Sequence, residues 1–235
     1  MEIFGYSERG AMNALFHGIA LSNDKEAMKE FLKTANIEGD FTDFEIYSEF
    51  SLSDFGNPDM VIIAKYRNNK KEEKEVIFIE AKASCGKKYK IHKQYAEHNE
   101  YVKEREYKSG QSSNLFFQLR QKYYFFETKC KKNETDKLKI PDLIKYYDQK
   151  KKAERRTGNN PVVKEFMKQI SECESAHYVA IIPKSDYSEI KTGKDYGFDI
   201  QFVSWEDLNE KFEKYLNKTI TFNQSGKYNQ IINND

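Results

Sequence analysis

Asp59, Glu80 and Lys82 are the residues of this chain whose types and spacing best suit chemistry. Asp59 opens the run PDMVIIAKY, Glu80 and Lys82 close the run EVIFIEAK, and a charged NNKKEEK connection lies between them. Two apolar runs joined by a polar connection predict neighbouring strands of a β-hairpin. Strand side chains alternate, so Glu80 and Lys82 take one face and Ala81 the other. If Asp59 meets the end of the antiparallel partner strand, two carboxylates and an ammonium gather at one rim of the sheet. Carboxylates are hard oxygen ligands for Mg²⁺ or Mn²⁺, and an ion so held polarises a phosphate and acidifies a water. A neighbouring lysine orients that water or offsets developing charge. The matching chemistry is hydrolysis of a phosphodiester. The plainer alternative is a turn aspartate and a solvated Glu80 and Lys82 pair at a strand edge. Against it stands the run Val-Ile-Phe-Ile directly before Glu80, because a carboxylate ending a buried strand is costly unless something binds it.

Pro58-Asp59 and Glu80-Ala81-Lys82 resemble the two halves of the PD-(D/E)xK nuclease motif, that of the restriction-endonuclease-like superfamily, and their carboxylates stand 21 positions apart. Two strands and a turn fill that interval. The resemblance implies an α/β fold, a central mixed sheet of four or five strands flanked by helices, with a helical insertion. It implies Mg²⁺ or Mn²⁺ on Asp59, Glu80 and the Ala81 carbonyl, and Lys82 placing the attacking water. A glutamate near the start of the first helix often joins the ligands in this superfamily, and Glu8 is the position that matches. The competing reading of Glu8 is an acid favoured at a helix N-terminus by the macrodipole. Some branches carry a QxxxY motif on the helix after the hairpin. Gln118 is the candidate here, but Lys122 stands four residues on and Phe125 stands four after Gln121, so the pattern is not completed. The activity implied is a metal-dependent deoxyribonuclease of restriction or phage-defence type acting on double-stranded DNA. No separate specificity domain is visible, which favours a compact homodimer, and the lack of a membrane span or signal-peptide pattern predicts the cytoplasm. The alternatives are a nucleic-acid-binding protein of the same fold without catalysis, and a nuclease directed at RNA.

The elements that must position these residues are legible in order. Ser7 and ERGAMNALFHGIALS predict a first helix with Ala11, Leu15 and Ile19 on its apolar face, and DKEAMKEFLKTA predicts a second. FTDFEIYSEFSL alternates as a half-buried strand, with Phe44, Ile46 and Phe50 assigned to one face and Glu45 and Tyr47 to the other. Gly56 lies in the turn before Asp59, where it serves the turn or lets backbone approach an ion or phosphate. A polar helix is predicted over 89–107, then one over NLFFQLRQKYYFFETK with Leu115, Phe116, Leu119, Tyr123 and Phe126 on a broad apolar face. A short helix from Pro141 to Lys152 lies in the insertion, and PVVKEFMKQISECE is a further helix with Pro161 in its first turn. HYVAIIPK and FDIQFVS read as strands, and SWEDLNEKFEKYL as a helix capped by Ser204, before a polar tail from Asn217 that reads as loosely ordered or as a weak edge strand. One nuclease domain over 1–216 is expected.

Charge is unevenly distributed. The whole chain of 235 residues has a formal net charge of +1, yet residues 82–156 hold 21 Lys and Arg against 10 Asp and Glu. A basic segment that starts immediately after the ExK half is suited to phosphate. Lys87, Lys88, Lys90 and Lys93 form its densest cluster beside the motif, with tyrosines interleaved. Cys85, Cys130 and Cys173 are odd in number and share no CxxC spacing, which predicts reduced thiols. Cys85 with His92 and His98 fits no zinc spacing. No apolar run approaches the roughly 20 residues of a membrane helix. The chain carries no GxxxxGK[ST], GxGxxG, GxSxG or HExxH, so nucleotide-driven, dinucleotide and serine-hydrolase chemistries have no motif behind them.

Overall fold

Met60 to Ala64 and Val76 to Ile79 are apolar at every position, so strands made of them must be covered on both faces. In the computed structural model they are, as parts of β2 (Met60–Asn68) and β3 (Lys71–Ala81). The structure describes residues 8–48, 50–68, 71–82, 91–104, 113–130, 160–184, 198–216, 220–222 and 229–231. With β1 (Phe41–Ser48), β4 (Ser175–Ile182) and β5 (Gln201–Ser204) they form a five-stranded sheet in the order β1-β2-β3-β4-β5. β2 runs antiparallel to both β1 and β3, whereas β4 runs parallel to both β3 and β5. The sheet is therefore mixed and open, in an α/β fold. Parallel pairing of β3 with β4 needs a crossover, which the helical stretch between them supplies.

One face is covered by α1 (Glu8–Leu21), α2 (Lys25–Thr34), α6 (Trp205–Lys211) and α7 (Glu213–Leu216). Ile62, Ile77, Ile79 and Ala81 meet Phe16, Phe31 and Trp205 there. The other face is covered by α3 (Ile91–Glu104), α4 (Leu115–Tyr124), a π-helical continuation (Phe125–Cys130) and α5 (Pro161–Ser171). Val61, Ile63, Val76 and Phe78 meet Phe116, Phe117 and Phe166 there.

Asp24 ties α2 to the end of the chain's last helix. Its side chain accepts from the Ala27 N–H as the N-cap of α2 and also takes Lys214 Nζ and the Tyr215 hydroxyl. The Lys214 hydrogen bond leads the contacts that hold its carboxyl well below the ordinary carboxylate range. Asp24→Ala should cost about 1 kcal/mol, the usual loss at an N-cap. Because the native carboxyl is depressed, its contribution is present above the unfolded value and fades as pH falls. Urea midpoints at neutral and acid pH should therefore differ more in the wild type than in the variant.

Three expectations are corrected. Phe50 packs with Tyr47 and Phe166 on the α5 side, not with Phe44 and Ile46, because β1 ends at Ser48 and the alternation stops with it. The last helix is divided at Phe212, whose φ of −117° and ψ of 28° leave the helical region. Within the tail, Ile220–Phe222 and Asn229–Ile231 pair with each other and not with the five-stranded sheet. The predicted helix from Pro141 to Lys152, and the rest of the insertion up to residue 159, lie outside the described residues. No helix among the described residues is long and apolar enough to cross a membrane.

Candidate active site

The hairpin register decides whether the carboxylates meet. Met60 pairs with Ile79, so one step further sets Asp59 across from Glu80, at the end of the sheet where β2 begins and β3 finishes. Asp59 is 6% exposed and Glu80 1%. Glu80 follows Val76 and Phe78 in alternation, which turns it toward α4, whereas Ala81 enters the core on the α1 side. The solvated edge pair is thereby excluded for Glu80.

Each acid has a basic neighbour from a helix. Asp59 Oδ2 accepts the Ala81 N–H at 2.8 Å, and Oδ1 accepts Arg9 Nε at 3.3 Å. Glu80 Oε1 lies 2.8 Å from Lys122 Nζ, with both side chains 1% exposed. That approach is too oblique for a hydrogen bond, and neither carboxylate oxygen of Glu80 has a hydrogen-bonding partner. Glu80 therefore gains Coulomb attraction without directed donors. Burial pushes its carboxyl up from the ordinary 4.5, Lys122 draws it down, Asp59 pushes it up and Lys82 draws it down, with a raised net value. Lys122 is thus in contact with Glu80, and Asp59 and Lys82 act on it electrostatically.

Lys82 follows β3 and is half-buried. Its backbone is fixed at both ends, the N–H donating to the Ile181 carbonyl at 2.8 Å and the carbonyl accepting Trp205 Nε1 at 3.0 Å. Trp205 is fully buried, a packing residue that also makes this hydrogen bond.

Lys122 was missed as a site residue, although α4 signals it. It lies seven residues after Leu115 and three after Leu119, on the apolar stripe, where a lysine is out of place unless something inside receives its charge. Its Nζ also donates to the Phe55 carbonyl at 3.2 Å, in the turn that leads to Asp59. Gly56 is next in that turn, at φ +80°, and a Cβ there would stand 3.2 Å from Lys122 Nζ and 3.3 Å from Gln121 Oε1. The glycine is needed for the backbone angle and for room beside the ammonium. Arg9 was missed because the resemblance directed attention to Glu8.

The remaining expected residues are more scattered. Glu8 opens α1 and is half-buried, but the α1 side chain that meets Asp59 is Arg9. Among the described residues no group of three or more His, Cys, Asp or Glu is placed to hold a metal. Lys93 is exposed on α3, while Lys87, Lys88 and Lys90 lie outside the described residues. Gln118 is half-buried on α4, with an enclosed Oε1 that has no hydrogen-bond partner. His98 is buried against Phe116 and Phe117, and burial pushes its imidazole down to about 3, as for a packed neutral ring.

The donor set fits a hard divalent cation. Mg²⁺ is commonly held by one or two carboxylates, with water and substrate phosphate completing its shell. Asp59 and Glu80 are such a pair, and Glu80 brings two enclosed oxygens without hydrogen bonds. No family model, curated protein or solved structure matches this chain.

Proposed function

We propose that this chain is a metal-dependent nuclease of restriction-endonuclease-like fold that hydrolyses phosphodiester bonds in DNA, with a restriction or phage-defence role and a homodimer as its working form. The observation that carries the reading is Glu80, a carboxylate at the end of a buried strand, without an aligned donor, beside Asp59 and Lys82. Asp59 and Glu80 would hold Mg²⁺ or Mn²⁺, with the Ala81 carbonyl as a further oxygen. The ion would polarise the scissile phosphate and make its water acidic. Lys82, anchored through its backbone, orients the attacking water and meets the charge that grows on phosphate. Arg9, whose side chain is 47% exposed, is placed to turn from Asp59 to a substrate phosphate. Glu8 would assist from the same end of α1.

A second reading has its own support. Arg9 and Lys122 give both carboxylates a cation from the chain itself, which suits a protein that binds nucleic acid without cutting it. One assay separates the readings: double-stranded DNA, single-stranded DNA and RNA, each with Mg²⁺, Mn²⁺ or EDTA. The nuclease reading expects cleavage of duplex DNA in the divalent ions and none in EDTA. Salt-sensitive binding with no turnover in any ion would overturn it in favour of the silent protein. Cleavage of RNA alone would move the substrate and keep the chemistry.

A further inference from the structure

We infer that Lys122 is a positioning residue that holds the two arms of the metal site together; the inference rests on the metal-dependent reading of that site. One ammonium on α4 touches both arms. It lies 2.8 Å from Glu80 Oε1 at the end of β3 and donates at 3.2 Å to the Phe55 carbonyl, four residues before Asp59 in the turn that delivers it. An ammonium has three donors in a compact head and is suited to bridging acceptors from separate segments. Gly56 leaves the space for it, and α4, fixed by Phe116, Phe117 and Leu119 in the core, holds its position.

The arrangement divides the work between the two oxygens of Glu80. Oε1 lies against Lys122, while Oε2 is enclosed and has no hydrogen-bonding partner. Oε2 is the oxygen left to face an ion. The charge of Lys122 also lets two acids stand close together before any ion arrives. Without the ammonium, Asp59 and Glu80 repel each other, and the Phe55 turn loses its tie to β3. Groups that orient a liganding side chain from behind commonly account for one to two orders of magnitude in metal affinity.

The test is Mn²⁺ binding to the full chain, followed by the loss of the free-ion electron paramagnetic resonance signal. Lys122→Met should weaken Mn²⁺ binding by about 10- to 100-fold in protein shown to be folded by circular dichroism. Leu32→Ala loosens the core under α2, on the sheet face opposite α4, and should leave that affinity within about twofold of the wild type, the margin expected of a distant site. If Lys122→Met does not fold, Lys122→Gln, which keeps a polar head but removes the charge, should weaken binding in the same direction. Wild-type affinity in the folded Lys122→Met or Lys122→Gln chain overturns the inference and leaves the metal site standing. Equal weakening by Leu32→Ala overturns it too, since the effect would then be general loosening. Failure of the wild-type chain to bind Mn²⁺ overturns the metal reading itself, and this inference with it.

Discussion

Lys82→Ala is expected to lower Mg²⁺-dependent cleavage by at least about 100-fold while leaving the fold in place, the scale expected for a group that assists proton transfer in the transition state. The variant is a clean probe because the structural work at this position belongs to the backbone. Its N–H continues the parallel ladder to Ile181, and its carbonyl holds the Trp205 indole. Alanine keeps both bonds and removes only the side-chain charge that acts on Glu80. Asp59→Asn should do the same for the opposite arm. The amide oxygen still accepts the Ala81 N–H, and the lost pair with half-exposed Arg9 is of the class worth about 1 kcal/mol or less. Plasmid cleavage rates and thermal midpoints measured together check both variants. Wild-type cleavage by either, or by the wild type in EDTA, would remove the catalytic assignment.

The largest stability effect should come from Lys122→Ala. It leaves Glu80 as a carboxylate 1% exposed, without a hydrogen-bond donor, next to Asp59. Breaking a buried ion pair in this way costs about 3–5 kcal/mol, more than its formation contributes, because the surviving charge keeps its desolvation penalty. For a chain of this size that corresponds to a fall of roughly 6–20 °C in thermal midpoint. Two comparisons identify the mechanism. Lys122→Ala/Glu80→Ala should recover much of the loss, because no bare charge remains and only packing is missing. Acid should recover part of it as well. The carboxyl of Glu80 is already raised above 4.5 in the folded chain, so proton uptake favours the folded state. Stability linked to it is fully present below the unfolded value and is lost as pH rises through the folded one. Removing Lys122 raises the folded value further, so the variant should lose more stability than the wild type between acid and neutral pH. A penalty that does not change with pH would show that lost packing, and not the stranded charge, dominates.

Much of the fold could be read locally. The hairpin was legible because two apolar runs around a polar turn have few other ways to bury both faces, and its register follows once Asp59 and Glu80 end opposite strands. Ser204 was legible as a helix cap because capping is a contact between near neighbours, and its Oγ does accept the Asp207 N–H at 3.0 Å. Asp207 also takes Lys184 Nζ at 3.0 Å, a partner 23 residues away that a local pattern does not reveal. Phe50 failed for a related reason: alternation assigns a face only as long as the strand lasts.

Local patterns in the chain determined the two-strand scaffold and the two acids and the lysine at its rim. They did so because alternation, turn chemistry and apolar runs act between residues close in sequence. Only the tertiary structure decided what stands behind those acids. Arg9 is 50 residues from Asp59 and Lys122 is 42 from Glu80, and each reaches its carboxylate because a helix packed on one face of the sheet ends or passes there. Which cation meets a buried charge is settled by how helices lie on a sheet, and that depends on summed burial across the whole core, which no short stretch of residues encodes.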